Sequence, residues 1–271
     1  MVDDCAEQGE GRVMAIPDSF ILETKGLSKQ FKGFVAVSNV DLAVQRGHIH
    51  ALIGPNGAGK TTFFNLLTKF LVPSAGSIHY KGVDITQEKP AQTARMGIVR
   101  SFQISAVFSH MTVLENVRGA LQRRLGNSFH FWKGERTLLP LHERARELLA
   151  EVDLLDFADE LTASLPYGRK RALELATTMA LEPELMLLDE PTQGMGHEDV
   201  SRVTALIKRL SVGRTILMVE HNMNVVASIA DRITVLQRGV IIADGTYAQV
   251  SADPLVIEAY MGAPDAALQG S

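Results

Sequence analysis

The stretch of this chain with the clearest chemistry covers residues 54–62 and reads GPNGAGKTT. It fits the pattern G-x-x-x-x-G-K-[ST], in which glycines let backbone N–H groups surround an anion without interference from a Cβ atom. Lys60 can reach the outer phosphates of a nucleotide, and the hydroxyl of Thr61 can bind Mg²⁺. We call this stretch the phosphate loop, and its expected ligand-binding residues are Gly54, Pro55, Asn56, Gly57, Ala58, Gly59, Lys60, Thr61 and Thr62.

The neighbouring elements would hold this loop in place. Residues 48–53 are typical of a short buried strand, and residues 63–67 begin a helical pattern. The N-terminus of that helix would direct its unpaired N–H groups and positive dipole end at the phosphates. Strands alternate with helices along the chain, and a helical block interrupts them from about residue 112 to 181. The pattern predicts an α/β fold with a helical insertion.

A second candidate site lies where an apolar run ends in acidic residues. Residues 185–188 are continuously apolar, as expected for a strand buried on both faces, and Asp189 and Glu190 follow. Ligands bind at such strand ends in open α/β sheets. We expect Asp189 to bind Mg²⁺ through water and Glu190 to act as the base or the orienter of the attacking water. His221 follows another apolar strand and could bind the same phosphate, although alone it would indicate an ordinary surface histidine.

Other candidates are ambiguous by themselves. Phe31 or Phe34 could stack on a base, but packing in the core or at a sheet edge is the simpler interpretation. Gln103 ends a predicted strand, where a glutamine usually forms local hydrogen bonds. His48 and His50 share one strand face without a third ligand nearby in sequence, so we interpret them as structural.

Composition restricts the classes of protein. The chain has 271 residues, of which 46% are hydrophobic and 21% charged. Its net charge of −4 shows no bulk basic character that would indicate nucleic-acid binding, although a basic patch could lie within that total. A single cysteine, Cys5, excludes a disulfide framework and indicates a reducing compartment. The sequence has no apolar run long enough to span a membrane and no signal-peptide pattern. We therefore expect a cytoplasmic protein that reaches any membrane through a partner.

The motifs together, in this order and spacing, resemble the ATP-binding cassette (ABC) ATPase family over roughly residues 20–261. The resemblance implies a P-loop NTPase core with a parallel sheet, an N-terminal antiparallel β subdomain and an inserted α-helical subdomain. One domain would cover residues 18–262, with the helical subdomain at about 104–181, after a mobile tail at 1–17 and before a C-terminal tail at 263–271.

The resemblance also implies ATP and Mg²⁺ as cofactors and gives the ambiguous residues roles. Phe31 matches the aromatic that stacks on adenine, and Gln103 the glutamine that binds Mg²⁺ and links the site to a membrane partner. Glu190 matches the catalytic base and His221 the switch histidine. The signature segment, which covers the ATP of a second subunit, corresponds to Leu165, Pro166, Tyr167, Gly168 and Arg169.

Within this family the chain is similar to ATP-binding subunits of branched-chain amino acid importers, and related amide and urea importers share much of the pattern. The matching stretches are residues 167–168, 173–176, 189–195, 220–221 and 257–262. This similarity implies an ATPase that forms a head-to-tail dimer with itself or a homologous subunit. Its membrane permeases would hold it at the cytoplasmic face of the inner membrane, with a substrate-binding protein as an indirect partner and no nucleic acid.

Two departures and several alternatives accompany this interpretation. Pro166 replaces the usual serine of the signature and removes a hydroxyl, and Gly196 stands where an aspartate is usual. Phe108, Met111 and Val113 could dock a permease or pack within the helical block, and Phe129, Phe131 and Trp132 are expected to make local contacts there. The rival classes are a soluble ABC ATPase of DNA repair or translation and a P-loop kinase for small molecules.

Overall fold

A computed structural model describes residues 19–101, 107–124 and 139–261. Within these ranges the strands are β1 (Phe20–Phe31), β2 (Phe34–Gln45), β3 (Ile49–Ile53), β4 (Ala75–Tyr80), β5 (Val83–Asp84), β6 (Ile98–Ser101), β7 (Leu185–Asp189), β8 (Thr215–Val219), β9 (Arg232–Gln237) and β10 (Val240–Gly245). The helices are α1 (Lys60–Leu67), α2 (Pro90–Arg95), α3 (Val113–Arg124), α4 (Leu139–Glu151), α5 (Tyr167–Met179), α6 (His197–Leu210), α7 (Met223–Ile229), α8 (Tyr247–Ser251) and α9 (Pro254–Met261).

The larger sheet has six strands in the order β10-β9-β3-β8-β7-β6. All neighbours pair in parallel except β10, which is antiparallel to β9. Every residue of β3, β7 and β8 is buried, which explains their continuous apolar sequences. Val219 of β8 lies opposite Leu52 on one side and Asp189 on the other. The carboxyl ends of three central strands therefore meet at one edge, beside the phosphate loop.

The smaller sheet is antiparallel, with the strand order β2-β1-β4-β5. We expected two short strands here, at residues 20–24 and 40–44. The structure instead has one long hairpin, in which Phe31 pairs with Phe34 across the turn residues Lys32 and Gly33. Both turn residues have positive φ, at 42° and 93°, as two-residue hairpin turns require. Several register shifts interrupt the pairing of β1 with β2, so the alternation that would reveal a full-length strand is broken.

The helical insertion is formed by α3, α4 and α5, which pack on one another. Threonine at 112 and glutamate at 115, three residues apart, predict a capping box at the start of α3. The structure confirms it: the Thr112 N–H donates to Glu115 Oε2 at 2.8 Å, and the Glu115 N–H donates to Thr112 Oγ1 at 3.1 Å. Buried side chains of the three helices form one cluster with the adjoining face of the larger sheet. The predicted cluster of Phe129, Phe131 and Trp132 lies outside the described residues, as do the predicted tails.

The larger sheet separates two apolar clusters. Ile49, Ala51 and Ile53 of β3 belong to the cluster on the helical side, whereas Leu52 belongs to the cluster shared with α1 and the smaller sheet. The alternation of side chains along β3 thus fixes the strand from both faces, and with it the start of the phosphate loop. Among the described residues, no helix combines the length and apolar character needed to cross a lipid bilayer.

Candidate functional site

The phosphate loop joins the end of β3 to the start of α1 and depends on two glycines. Gly54 has a φ of 151°, and a Cβ atom there would lie 2.0 Å from the carbonyl oxygen of Leu236. Gly59 has a φ of 101°, and its Cβ atom would lie 2.4 Å from the carbonyl oxygen of Ala36. Neither position has room for a side chain, so β9 and β2 press the loop into its shape.

Lys60 lies in the middle of this loop. It is 8% exposed, and its Nζ donates to the carbonyl oxygens of Gly54 at 2.7 Å and Pro55 at 3.0 Å. Burial lowers the pKa of Lys60, and the carboxylates of Glu190 and Asp189 oppose that shift. The ammonium group is therefore close enough to both acidic residues to interact with them. Thr61 is exposed at the start of α1, where its hydroxyl is accessible.

Asp189 ends β7 and is bound by an arginine that sequence reasoning did not identify. Nη2 of Arg100 donates to Asp189 Oδ2 at 2.5 Å, and Nη1 donates to Asn65 Oδ1 at 2.7 Å. Arg100 thus connects β6, α1 and β7 at the edge where the ligand is expected. The available signal was a cation in the otherwise uncharged strand Ile98–Ser101.

Glu190 is half-buried and has a φ of 44°, which is uncommon for a residue other than glycine. Its N–H donates to the carbonyl oxygen of Val219 at 2.9 Å. Strain of this kind, about 1–3 kcal/mol, persists only where surrounding contacts enforce it, and it concentrates at functional sites. The carboxylate that we predict to be the base therefore sits on a backbone held in an unusual conformation.

Glu220, which sequence reasoning also missed, is fully buried at the end of β8. It accepts hydrogen bonds from Thr192 N at 3.0 Å, Thr192 Oγ1 at 2.6 Å, His221 N at 3.0 Å and Asn222 N at 3.2 Å. Four donors satisfy the buried charge. Glu220 joins the segment after Glu190 to the segment that carries His221, which is itself exposed.

The hairpin tip with Phe31 and Phe34 lies outside the core. Phe31 is 40% exposed with Lys29 Nζ 5.1 Å from its ring centroid, and Phe34 is 67% exposed. The core alternative for these aromatics is therefore wrong. Ala36, two residues beyond Phe34 on β2, is the residue whose carbonyl oxygen packs against Gly59. The strand that carries Phe34 thus adjoins the phosphate loop, and Phe31 is paired with Phe34.

The signature segment immediately precedes and begins α5. Pro166 is the N-cap residue, with no side-chain hydrogen bond, and both Pro166 and Tyr167 are exposed. Gly168 is buried, and a Cβ atom there would lie 2.5 Å from Asp199 Oδ1. The Arg169 guanidinium stacks 3.7 Å from the ring centroid of Phe157. No hydrogen bond or ion pair between described residues joins this segment to the phosphate loop.

Comparison with known proteins decides the family. The model of the ABC transporter family matches residues 37–193. One relative is BraF of Pseudomonas aeruginosa, described as a high-affinity branched-chain amino acid transport ATP-binding protein. It is 40% identical to this chain over 252 residues, which cover 89% of this chain and 98% of BraF. The chain belongs to the ABC transporter family. LivG of Escherichia coli, of the same description, is 38% identical over the same shares of both chains.

Solved ABC cassettes confirm the fold. The ADP conformation of MJ1267, an ATP-binding cassette of an ABC transporter, superposes with a TM-score of 0.78 at 30% identity and covers 90% of this chain and 99% of that one. A nucleotide-free ATP-binding cassette superposes with a TM-score of 0.77 at 30% identity, with coverages of 90% and 100%. The predicted family, the predicted fold class and the prediction of an ATPase are thereby confirmed.

A second family model, described as branched-chain amino acid ATP-binding cassette transporter, matches residues 240–266. This part of the ABC chain includes α9, where the backbone of Gly54 lies close enough to the Tyr260 hydroxyl to act on its pKa. Burial raises the pKa of Tyr260 to about 12, so it is a neutral phenol at physiological pH. The C-terminal helix therefore contacts the first residue of the phosphate loop, a link that sequence reasoning did not find.

The remaining candidate residues of the ABC chain differ in how far they are exposed to solvent. Phe108 is 66% and Met111 43% exposed, so both are available to a partner, whereas Val113 is fully buried and packs within the helical block. Gly196 is exposed with a φ of −72°, directly before α6. Gln103 lies outside the described residues, and its predicted role stays a prediction.

Proposed function

We propose that this chain is the ATP-hydrolysing subunit of an importer for branched-chain amino acids or related amides. It couples ATP-driven closure of a head-to-tail dimer, formed with itself or a homologous subunit, to membrane permeases. The observation that carries the hydrolytic part is the pair of hydrogen bonds from Arg100 to Asp189 and Asn65, which ties the acidic end of β7 to the helix that starts at Lys60. The cargo rests on the names of BraF and LivG and on the match at residues 240–266.

In this proposal the phosphate loop and Lys60 bind the phosphates of ATP, and Phe31 stacks on the adenine. The exposed face of Phe31 at the hairpin tip and the adjacency of β2 to Gly59 support that role. Phosphate oxygens would replace the carbonyl oxygens of Gly54 and Pro55 as partners of the Lys60 ammonium. Because transition-state charge develops on those oxygens, a fixed cation there lowers the barrier.

The donor chemistry also fits Mg²⁺. The described residues form no group of three or more His, Cys, Asp or Glu side chains able to hold a metal by themselves. Mg²⁺ in nucleotide sites suits such an arrangement, because it uses one or two protein oxygens with phosphates and water. The Thr61 hydroxyl and the Asp189 carboxylate would hold it, together with Gln103. When bound, the ion would neutralise charge on the phosphates.

Glu190 is the proposed general base and His221 the residue that orients the phosphate and the attacking water. Glu190 has a carboxylate that is half-buried, and its backbone is fixed at Val219. The signature segment of the second subunit would cover the ATP, with Pro166 leaving Gly168, backbone N–H groups and the helix dipole as its contribution. The dimer stands at the cytoplasmic face of the membrane through permeases, docked near Gln103. Phe108 and Met111, which follow a few residues later in the sequence, are exposed.

The Glu190→Gln substitution tests the hydrolytic mechanism. It keeps the side-chain shape and removes the base, so steady-state ATP hydrolysis should fall by about 10²- to 10⁴-fold while ATP binding is retained. Phosphate release and binding of a fluorescent ATP analogue measure the two quantities. Wild-type turnover in this variant would refute the role given to Glu190.

Copurification tests the transport part. The tagged chain, expressed with the genes that neighbour its own, should copurify with a polytopic membrane protein and confer ATP-dependent uptake of a branched-chain amino acid into vesicles. ATP hydrolysis without any membrane partner would favour a soluble ABC ATPase, and transfer of phosphate to a small molecule would favour a kinase.

A further inference from the structure

The backbone around Glu190 is held by a side chain from a helix outside the sheet. Arg171 lies on α5, three residues after Gly168, and is 4% exposed. Its Nη2 donates to the carbonyl oxygen of Asp189 at 3.1 Å, and its Nε donates to the carbonyl oxygen of Pro191 at 3.1 Å. One rigid guanidinium therefore binds the residues on both sides of Glu190.

A second buried charge fixes this arginine. Nη1 of Arg171 donates to Glu174 Oε2 at 2.5 Å, and Glu174 is 1% exposed. Burial raises the pKa of Glu174, whereas the Arg171 charge lowers it, and Glu174 Oε1 has no hydrogen-bond partner. Apolar side chains of similar volume usually stabilise a core as well as a buried ion pair does. A contribution to stability therefore does not explain why these two charges are buried together. Orientation of the Arg171 guanidinium does explain it.

The first turn of α5 touches the same loop at two more points. The Tyr167 hydroxyl donates to the carbonyl oxygen of Gln193 at 3.0 Å, and Gly168 packs directly against Asp199. The first two turns of α5 and residues 189–199 are thus in contact at three places, through Tyr167, Gly168 and Arg171. A displacement of the start of α5 reaches the residues beside Glu190 through Arg171.

We propose that Arg171 is a positioning residue through which the signature segment sets the orientation of Glu190 in the same chain. The inference rests on the proposed dimer, in which this signature segment covers the ATP held by the partner. Contact with that ATP shifts α5, and the guanidinium transmits the shift to the carbonyls of Asp189 and Pro191. Binding of ATP at one site of the dimer in this way changes the orientation of Glu190 at the other site.

The Arg171→Lys substitution separates positioning from binding. Lysine keeps a positive charge beside Glu174, but a single ammonium group cannot span two carbonyl oxygens as the guanidinium fork does. Because small misplacements of reacting groups cost up to about 100-fold, kcat should fall by roughly 10- to 100-fold, with the Kd for a fluorescent ATP analogue within about twofold of wild type. Unchanged kcat in the folded variant, or a loss confined to ATP affinity, overturns the proposal.

A matched control is available on the surface. Nη2 of Arg209 donates to the carbonyl oxygen of Glu151 and to Asp153 Oδ2, both at 2.7 Å. Arg209 therefore makes the same kinds of bond as Arg171. Its side chain is far more exposed, with 53% of it accessible. Arg209→Lys should leave kcat and the Kd for the ATP analogue unchanged. An equal loss of kcat in both variants would show a general effect of replacing arginine and would overturn the assignment.

Mixed dimers of two differently tagged copies of the full chain test whether Arg171 acts within its own subunit. One copy carries Glu190→Gln, so only the other copy retains its base. Arg171→Lys in the copy with intact Glu190 should lower turnover as in the single variant, whereas in the Glu190→Gln copy it should not. If Arg171→Lys instead lowered turnover only in the Glu190→Gln copy, Arg171 would act on the ATP held by the other subunit. That result would overturn the proposal. Failure of Glu190→Gln to dimerise with ATP would instead contradict the proposed dimer, while the kcat and Kd comparison still tests Arg171.

A second variant covers the case in which Arg171→Lys does not fold. Replacing Arg171 and Glu174 together by methionine removes both buried charges and keeps the volume, so the variant should melt near the wild-type temperature. It should show the same fall in kcat with ATP binding retained. Wild-type kcat in this folded double variant overturns the proposal.

Discussion

The phosphate loop and the signature segment are both short glycine-containing turns that lead into a helix, but they are held in different ways. The Lys60 side chain in the phosphate loop bonds to carbonyl groups five and six residues away. In the signature segment and the turn after it, Tyr167 and Arg171 bond to carbonyl groups 18 to 26 residues away. The Lys60 bonds of the first lie within its own strand, turn and helix, and β2 and β9 pack against its glycines. The second is built into the loop around Glu190, so its position depends on the state of another part of the chain.

The Lys60→Met substitution should have the largest effect and tests whether the phosphate loop binds nucleotide by itself. Methionine fills the same buried space without charge. Removing one partner of a desolvated charge interaction costs about 2–5 kcal/mol, so the Kd for ATP should rise by at least about 30-fold. Titration with a fluorescent ATP analogue measures it. If the variant bound ATP as strongly as wild type, residues outside the phosphate loop would have to supply the binding. The contrast between a loop that binds nucleotide by itself and a signature segment that does not would then be wrong.

A pair of Gly→Ala variants tests whether the phosphate loop has less room for a side chain than the region near the signature segment. Gly59→Ala brings a Cβ atom against the Ala36 carbonyl at a φ of 101°, whereas Gly196, near the signature side, has a φ of −72° and open space around it. Gly59→Ala should lower the free energy of unfolding by about 2–3 kcal/mol, and Gly196→Ala should change it by less than about 0.5 kcal/mol. Urea denaturation gives both values. Equal losses would show that the loop is no more constrained than the start of α6.

Acid should weaken the strand beneath the phosphate loop. Burial lowers the pKa of His50 on β3 to about 4 against the opposing effect of the Asp244 carboxylate, and its Nε2 lies 2.7 Å from Thr234 Oγ1. Because the unfolded chain binds a proton below about pH 6.5 and the folded chain only near pH 4, stability is lost as pH falls between these values. The loss attributable to His50 from pH 7 to pH 5 should be about 2 kcal/mol.

Urea denaturation of wild type and His50→Asn at both pH values isolates this contribution. The variant has no imidazole to protonate, so its free energy of unfolding should depend less on pH by that amount. An identical pH dependence in both chains would contradict a neutral buried His50.

The smallest expected effect concerns the signature side. Pro166 is the N-cap of α5 and provides no side-chain hydrogen bond. Serine at such a position accepts a hydrogen bond from a backbone N–H group of the first turn and typically stabilises by about 1 kcal/mol. Pro166→Ser should therefore raise the urea midpoint, with Ala163→Ser, on an exposed residue of the preceding turn, as a control that adds a hydroxyl but no cap. A lower midpoint would mean that the fixed φ of proline contributes more than the missing cap.

Local patterns in the sequence were sufficient to predict the elements whose contacts are local. The phosphate loop, the capping box at Thr112, the acidic end of β7 and the position of His221 at the end of β8 all follow from spacing along the chain. The hairpin of β1 and β2 did not, because register shifts conceal its alternation.

The side chains that connect the site could not be predicted in the same way. Arg100, Arg171 and Glu220 act on segments that are distant in sequence and adjacent only because β7 lies between β6 and β8. That strand order is not readable from the order of strands along the chain. A charge within or directly after an apolar strand was the available sign for Arg100 and Glu220, whereas Arg171 follows two other basic residues and has no such sign. The partners of all three required the fold.

The shape of the phosphate loop has a kinetic consequence. Lys60 bonds to two carbonyl oxygens and Gly54 is pressed against Leu236, so contacts within the chain hold the loop in its conformation. Arrival of a nucleotide exchanges hydrogen-bond partners without folding a segment. Association should then be fast and single-exponential, with the small heat-capacity change expected when little apolar surface becomes ordered. Any slow phase in ATP binding would belong to dimer closure.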